Sequence, residues 1–353
     1  MAYTTVDNPE LYFQTKLYTG NGGTQSITLD GSENMQPDWV FFKQRTGTPS
    51  SSGSQVYDVV RGATKYLSTH ATNAEATQSN GLTSFDSDGF SIGNTTRING
   101  NTESYVAWNW KAGGSASSNT DGSITSSVSA NTTAGFSIVS YTGNETVSTI
   151  GHGLGVTPSM IIVKGRIAGR NWIVGHHTQG WTKSAMLDET NAFSSQTHWN
   201  NTAPTSSVFT IEGGSNSNVN TNNAGYIAYC FAEKKGYSKF GSFVGNGSSD
   251  GTFVYLGFKP AWVMIKGADN SAGATPDWRI RDNKRSTYNT VQDVLYANSS
   301  SATITEDDHD FLSNGFKVRT SGAENNYSGD RYIYMAFAEN PFVTSTGIPT
   351  TAR

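Results

Sequence analysis

Apolar residues in this chain come in short runs bounded by glycine, proline, asparagine and serine, and the runs recur three times in the same order. An aromatic run ending on Gly-Asn comes first: Tyr18-Thr-Gly-Asn21, Tyr141-Thr-Gly-Asn144 and Phe243-Val-Gly-Asn246. Next is a proline followed by an apolar run closing on lysine, as Pro37 to Lys43, Pro158 to Lys164 and Pro260 to Lys266. A shorter block, Gly89 to Ile92, Val208 to Ile211 and Gly315 to Val318, precedes a closing run at Tyr105 to Trp110, Tyr226 to Phe231 and Tyr332 to Phe337. The Pro-to-Pro periods are 121 and 102 residues, too long for a solenoid unit and suited to a small domain. The runs are rich in β-branched and aromatic residues, and turn formers bound them, which predicts strands. Ser87-Asp-Gly-Phe90 and Ser313-Asn-Gly-Phe316 read as tight turns entering strands. Thr182 to Ala192 and Val291 to Ala297 hold the few helix formers, so any short helix is expected there.

The pattern predicts an all-β protein of three tandem antiparallel β-sandwich modules, jelly-roll or concanavalin-like. Its parts are an N-terminal arm (1–16), module 1 (17–114), a Ser/Thr/Gly-rich linker (115–134), module 2 (135–236), module 3 (237–342) and a tail (343–353). Each module is expected to bury its apolar strands in its own small core.

Composition narrows the function classes. Charged residues make up 15% of the 353, and the polarity comes from Ser, Thr and Asn with 38 Gly. The 17 Phe, 16 Tyr and 8 Trp argue for packed cores over disorder. A net charge of −4 argues against a nucleic-acid-binding surface, which needs clustered Lys and Arg. The single cysteine, Cys230, sits in an apolar run and reads as a buried small hydrophobe. No apolar stretch reaches membrane-spanning length, and the first residues lack the basic and apolar regions of a secretory signal.

Enzymatic signatures are missing. There is no Gly-x-Ser-x-Gly elbow, no His-Glu-x-x-His and no Cys-x-x-Cys. Gly151-His-Gly-Leu-Gly155 reads as a turn before a strand, and most carboxylates fall in turns. The cluster Glu306-Asp-Asp-His-Asp310 reads as a solvated loop, and no metal or cofactor is expected. The one local oddity gathers Trp172, His176, Trp181, His198 and Trp199, which are candidates for a platform contacting a glycan or a protein. Leu11, Tyr12 and Phe13 are candidates for an assembly arm that orders on a partner.

Tyr105-Val-Ala-Trp-Asn-Trp-Lys-Ala-Gly-Gly114, Ser118 to Ile124, Thr133 to Val139 and Gly151 to Pro158 resemble a virion family of marine and cyanobacterial tailed phages. The resemblance covers roughly residues 18–342 and is most specific at Trp108 to Gly114. It implies a non-enzymatic fibre or surface structural protein with concanavalin-like folds. It further implies other virion proteins as partners, homo-oligomerisation with a trimer as the family-level expectation, and a host-surface glycan or receptor as target. The expected location is the virion, assembled in the host cytoplasm without membrane insertion. Head decoration, a carbohydrate-binding array and, last, a polysaccharide-degrading enzyme are the alternatives.

Overall fold

Every recurrent run is a β-strand in the computed structural model, which describes residues 4–47, 54–215, 217–271, 273, 276–306 and 308–349. The chain is all-β, built of open antiparallel sheets, with one isolated parallel bridge between Ile124 and Ile150 among the described residues. Three large sheets repeat one spatial order. The first runs Phe13–Thr19, Ser104–Trp110, Trp39–Gln44, Ser54–Asp58, Lys65–Ser68 and Ala76–Thr77. The second runs Phe136–Thr142, Gly225–Phe231, Met160–Gly165, Trp172–His176, Lys183–Met186 and Ser194–Ser195. The third runs Ser238–Val244, Arg331–Pro341, Phe258–Gly267, Arg279–Asp282, Asp293–Tyr296 and Ile304–Thr305. A small sheet accompanies each: Gln25–Ile27 with Gly89–Ile92 and Leu82–Asp86, Ser148–Gly151 with Val208–Ile211, and Phe253–Tyr255 with Gly315–Val318 and His309–Leu312.

Side-chain alternation gives each large sheet two buried faces. Val40, Phe42 and Ala107 join Ile27, Phe90 and Ile92 in a core between the first large and small sheets. Ile161, Val163 and Ala228 do the same with Ile150, Phe209 and Ile211, and Val263, Ile265 and Ala336 with Val254, Phe316 and Val318. The alternate residues on the same strands point the other way. Trp39, Phe41, Trp108 and Trp110 of the first repeat meet Met160, Ile162, Tyr229 and Phe231 of the second and Trp262, Met264, Met335 and Phe337 of the third in one shared core. Strands buried on both faces carry unbroken apolar runs. That explains why Val40 to Phe42 and Ile161 to Val163 show no polar alternation. The expectation of three separately buried cores is therefore corrected: each repeat has a core of its own, and a fourth core joins all three.

Other expectations change with it. Residues 115–134 do not form a linker. Ser117–Asn119 and Ser126–Asn131 add to the outer side of Phe136–Thr142, and Val128, 5% exposed, anchors them in the second repeat's core. The arm is part of the body as well. Thr4 Oγ1 donates to Lys235 O at 2.8 Å, Tyr12 packs edge-on to Tyr237, and Phe13, 2% exposed, opens the first strand inside the shared core. The two stretches with helix formers hold strands, Lys183–Met186 and Asp293–Tyr296. Among the described residues the α-helices are the short Thr96–Asn99 and Ala323–Asn326. Pro260 does not open its strand: Phe258–Gly267 begins two residues earlier and takes the proline at a register shift, where no ladder N–H is needed. Gly89 turns into its strand with φ 108, and a Cβ there would meet Ile27 O at 2.0 Å, so this Asp-Gly position requires glycine.

Candidate functional site

The residues expected to form a contact platform are interior. Trp172 is 1% exposed in the shared core, and its Nε1 donates to Ser68 O of the first repeat at 2.8 Å. Trp199 (0%) and Trp181 (8%) cross edge-to-face at 5.4 Å in the second repeat's core. A Cβ on Gly175 would strike both indoles, within 2.5 to 2.8 Å. His198 is buried beside Ser184 and Glu212. His176 is fully buried at a junction between repeats. These side chains pack; they offer no flat face to a sugar. The sequence signal, large aromatics close together, is shared by cores and platforms, and here the core claimed them. Of the assembly-arm candidates, Phe13 is interior, while Leu11 and Tyr12 are half-buried against the chain's own body.

The junctions between repeats follow one cyclic rule. Asp58, His176 and Asp282 are equivalent, each paired across its ladder with the first core residue of a run (Trp39, Met160, Trp262). Trp108, Tyr229 and Met335 are equivalent by pairing with Phe41, Ile162 and Met264. Asp58 of the first repeat accepts from Tyr229 Oη of the second at 2.8 Å and from Arg61 Nε at 2.5 Å. Asp282 of the third accepts from Trp108 Nε1 of the first at 3.0 Å and from Arg285 Nε at 2.5 Å. At the remaining junction the facing position holds Met335, which has no proton to donate. There the carboxylate is replaced by His176 and the arginine by Gln179. A buried charge without a partner is costly, and a neutral imidazole avoids it. Burial, then the neighbouring His177, pushes the His176 pKa down to about 3. His177 Nε2 instead bonds across this junction, to Phe240 O of the third repeat, at 2.8 Å.

The lysines that close the three runs, Lys43, Lys164 and Lys266, are each 0% exposed. Each ammonium donates to a backbone carbonyl: Lys43 to Ser299 O, Lys164 to Arg170 O, and Lys266 to Pro276 O and, at 3.2 Å, to Glu189 O. Burial pulls their pKa values down to about 7, 8 and 7 respectively. Arg166 and Glu75 form a bidentate pair between the second and first repeats, with both bonds at 2.9 Å.

The acidic cluster is no solvated loop; Asp307 lies outside the described residues. Asp308, 5% exposed, accepts from Arg281 Nη2 and Asn325 Nδ2, both at 2.5 Å, and pairs with His309 Nδ1 at 2.8 Å. Burial opposes its charge, but Arg281 and His309 outweigh burial and hold the carboxyl well below the usual carboxylate range. Arg279 pairs with Glu306 and Glu324. These groups border a cavity of about 490 Å³ whose carboxylates are engaged by guanidinium groups. General acid catalysis needs a carboxyl kept protonated near neutral pH, and these pairs do the opposite to Asp308. Among the described residues no group of three or more His, Cys, Asp and Glu side chains is placed to hold a metal.

One recurring residue escaped the sequence reading. Asn99 and Asn326, the last residues of the short helices Thr96–Asn99 and Ala323–Asn326, and Asn220, in the equivalent turn of the second repeat, are each 0% exposed and precede the closing strand. Their Oδ1 atoms accept from the N–H of Asn21, Asn144 and Asn246, the Gly-Asn asparagines, at 2.9, 2.8 and 2.9 Å. Their Nδ2 groups donate to loop carbonyls, for example Thr146 O at 2.6 Å and Glu212 O at 2.7 Å from Asn220. The signal was available, since each asparagine stands six residues before Tyr105, Tyr226 or Tyr332.

Fold and site together define an antiparallel all-β repeat protein whose polar and aromatic clusters pack the repeats internally and join them to one another. The chain belongs to the DUF7483 family, described as a domain of unknown function, whose model matches residues 8–341 and so spans all three repeats as one unit. Neither the curated proteins nor the solved structures compared with the chain give a match.

Proposed function

We propose that this protein is a non-enzymatic structural component of a tailed-phage particle, carried on its tail fibre or adhesin apparatus and used in host attachment. Each repeat is in this reading a two-sheet sandwich of concanavalin-like or jelly-roll type. The observation that carries the proposal is the closure of three repeats on one shared core. That arrangement commits the aromatic inner faces to assembly and leaves a surface rich in Ser, Thr and Asn outside. A rigid scaffold with a weakly charged exterior suits a part that stays soluble until it is built into a particle. The resemblance at Trp108 to Gly114 supports the same reading, since Trp108 and Trp110 are central members of that core. The faces that a homotrimer of single sandwiches would bury between chains are buried here within one chain. This favours one chain as the equivalent of a trimer, seated on a threefold partner.

Immunogold labelling of purified particles of a phage encoding the chain tests the proposal. Label at the tail is expected, and particles without the protein overturn it. Repeats packed side by side, not strung end to end, also favour a second reading as a head decoration, for which the label lies over the capsid.

A further inference from the structure

The three junctions share one plan, but the third is finished differently. Ile138, Phe240 and Thr15 are equivalent, pairing across their ladders with Tyr229, Met335 and Trp108. Each therefore stands on the face turned toward the shared core. Where the first repeat meets the second, Val59 and Val60, which follow Asp58, pack on the core to which Ile138 belongs. Where the second meets the third, the Phe240 ring enters that core and its carbonyl is taken by His177, which follows His176. Where the third meets the first, the large apolar residue has become Thr15, and Asn283 and Lys284 follow Asp282. A cavity of about 450 Å³ lies there, bordered by all three.

The walls of this cavity are held in place and are polar. Gln14, itself buried, ties two of them together: its Oε1 accepts from Gly31 N–H at 2.8 Å, and its Nε2 donates to Glu10 O at 2.9 Å. A Cβ on Gly31 would strike that amide at 2.3 Å, so the close approach requires glycine. Thr15 is 6% exposed, and its Oγ1 has no hydrogen-bond partner among the described residues. A buried hydroxyl without a partner costs stability; the equivalent places in the other repeats avoid that cost with Ile138 and Phe240. Thr15 keeps its polar group at the cavity wall instead. At the rim, the exposed Lys284 ammonium and Asn340 amide are free to donate.

We propose that this cavity binds a neutral mono- or disaccharide. Asp7, Glu10, Asp30 and Glu339 border it, and four carboxylates disfavour an anionic ligand. An ammonium ligand gains little, because Lys16 already pairs with Asp30 at 2.5 Å and Lys259 with Glu339 at 3.1 Å. Glu10 accepts from Ser32 N–H at 2.8 Å and Asp7 from Ser345 N–H at 2.7 Å. An ionised carboxylate accepts up to about four hydrogen bonds, so lone pairs remain for hydroxyl groups. Lys284, Asn340 and Thr15 supply donors for the sugar's oxygens, and the small Ala261 and Ala338 leave room for the C–H face of a ring. The volume falls within the range of ligand clefts, roughly 300–1,000 Å³. This gives the attachment reading a ligand, and it rests on that reading for the sugar's source, a host-surface glycan.

The probes are glucose, galactose, mannose, rhamnose and N-acetylglucosamine, each added at about millimolar concentration to the full chain and read by saturation-transfer NMR. Glucuronate and cadaverine serve as the anionic and cationic comparisons. At least one neutral sugar is expected to receive saturation. The signal is expected to vanish in Thr15→Ile, which copies the second repeat's residue and so keeps the fold, as an unchanged thermal melt verifies. Asn340→Ala, at an exposed position, is expected to weaken the same signal severalfold. Saturation of none of the five sugars overturns the proposal. So does a signal that survives both substitutions, or one confined to glucuronate or cadaverine. Sugar binding by a chain absent from phage particles keeps the site and strikes the attachment reading; a labelled tail whose protein binds none of these sugars does the reverse.

Discussion

His176 shows how a single residue records its neighbour. Its counterparts Asp58 and Asp282 each accept from a tyrosine hydroxyl or an indole N–H of the next repeat and pair with an arginine of their own. Opposite Met335 that arrangement fails, and a neutral ring takes its place. The consequence for pH has a definite sign. Below about pH 6.5 the unfolded chain binds a proton at His176 that the folded chain refuses down to about pH 3, so stability falls as pH drops through this window. The full difference is at most roughly 4–5 kcal/mol. A His176→Gln variant is expected to lose less stability than the parent between pH 6.5 and 4, which urea melts at several pH values measure. Equal slopes would show that His176 titrates normally. None of this was legible in the sequence, where His176 stood out only as one of several histidines among tryptophans. Its meaning depends on a residue in another repeat.

At the scale of elements, the strands were legible because each run pairs β-branched or aromatic residues with turn formers at both ends. The roles of the connections were not. Residues 115–134 look like a linker because a strand capping an exposed edge needs few apolar side chains, and here Ile124 and Val128 suffice. The buried asparagines were overlooked because Asn in a loop is ordinary; only the constant offset to a tyrosine marks them. Each fastens the Gly-Asn turn to the loop before the closing strand. Asn220→Ala removes three hydrogen bonds made by a fully buried side chain and strands their partners, and is expected to cost about 3 kcal/mol. Thermal melts check the magnitude. Hydrogen exchange checks the place, with faster exchange expected first in residues 143–147 and 212–224.

At the scale of the whole molecule, the repeats were legible and their mode of assembly was not. An unbroken apolar run such as Pro158 to Lys164 is compatible with a strand buried on both faces. It does not say whether the second face meets its own repeat or another. The structure answers with a closed head-to-tail ring: the first repeat's Asp58 meets the second, His177 of the second meets the third, and the third's Asp282 meets the first. Heterologous contacts that close after three members need no further copies. Trp262, 1% exposed, lies where Trp108, Trp110 and Phe337 converge. Its replacement by alanine is expected to cost about 3–5 kcal/mol. The decisive measurement is amide exchange in Trp262→Ala, followed at Trp108, Ile162 and Met264, one residue from each repeat. With a single shared core, exchange accelerates at all three positions by a similar factor; acceleration at Met264 alone would contradict the account.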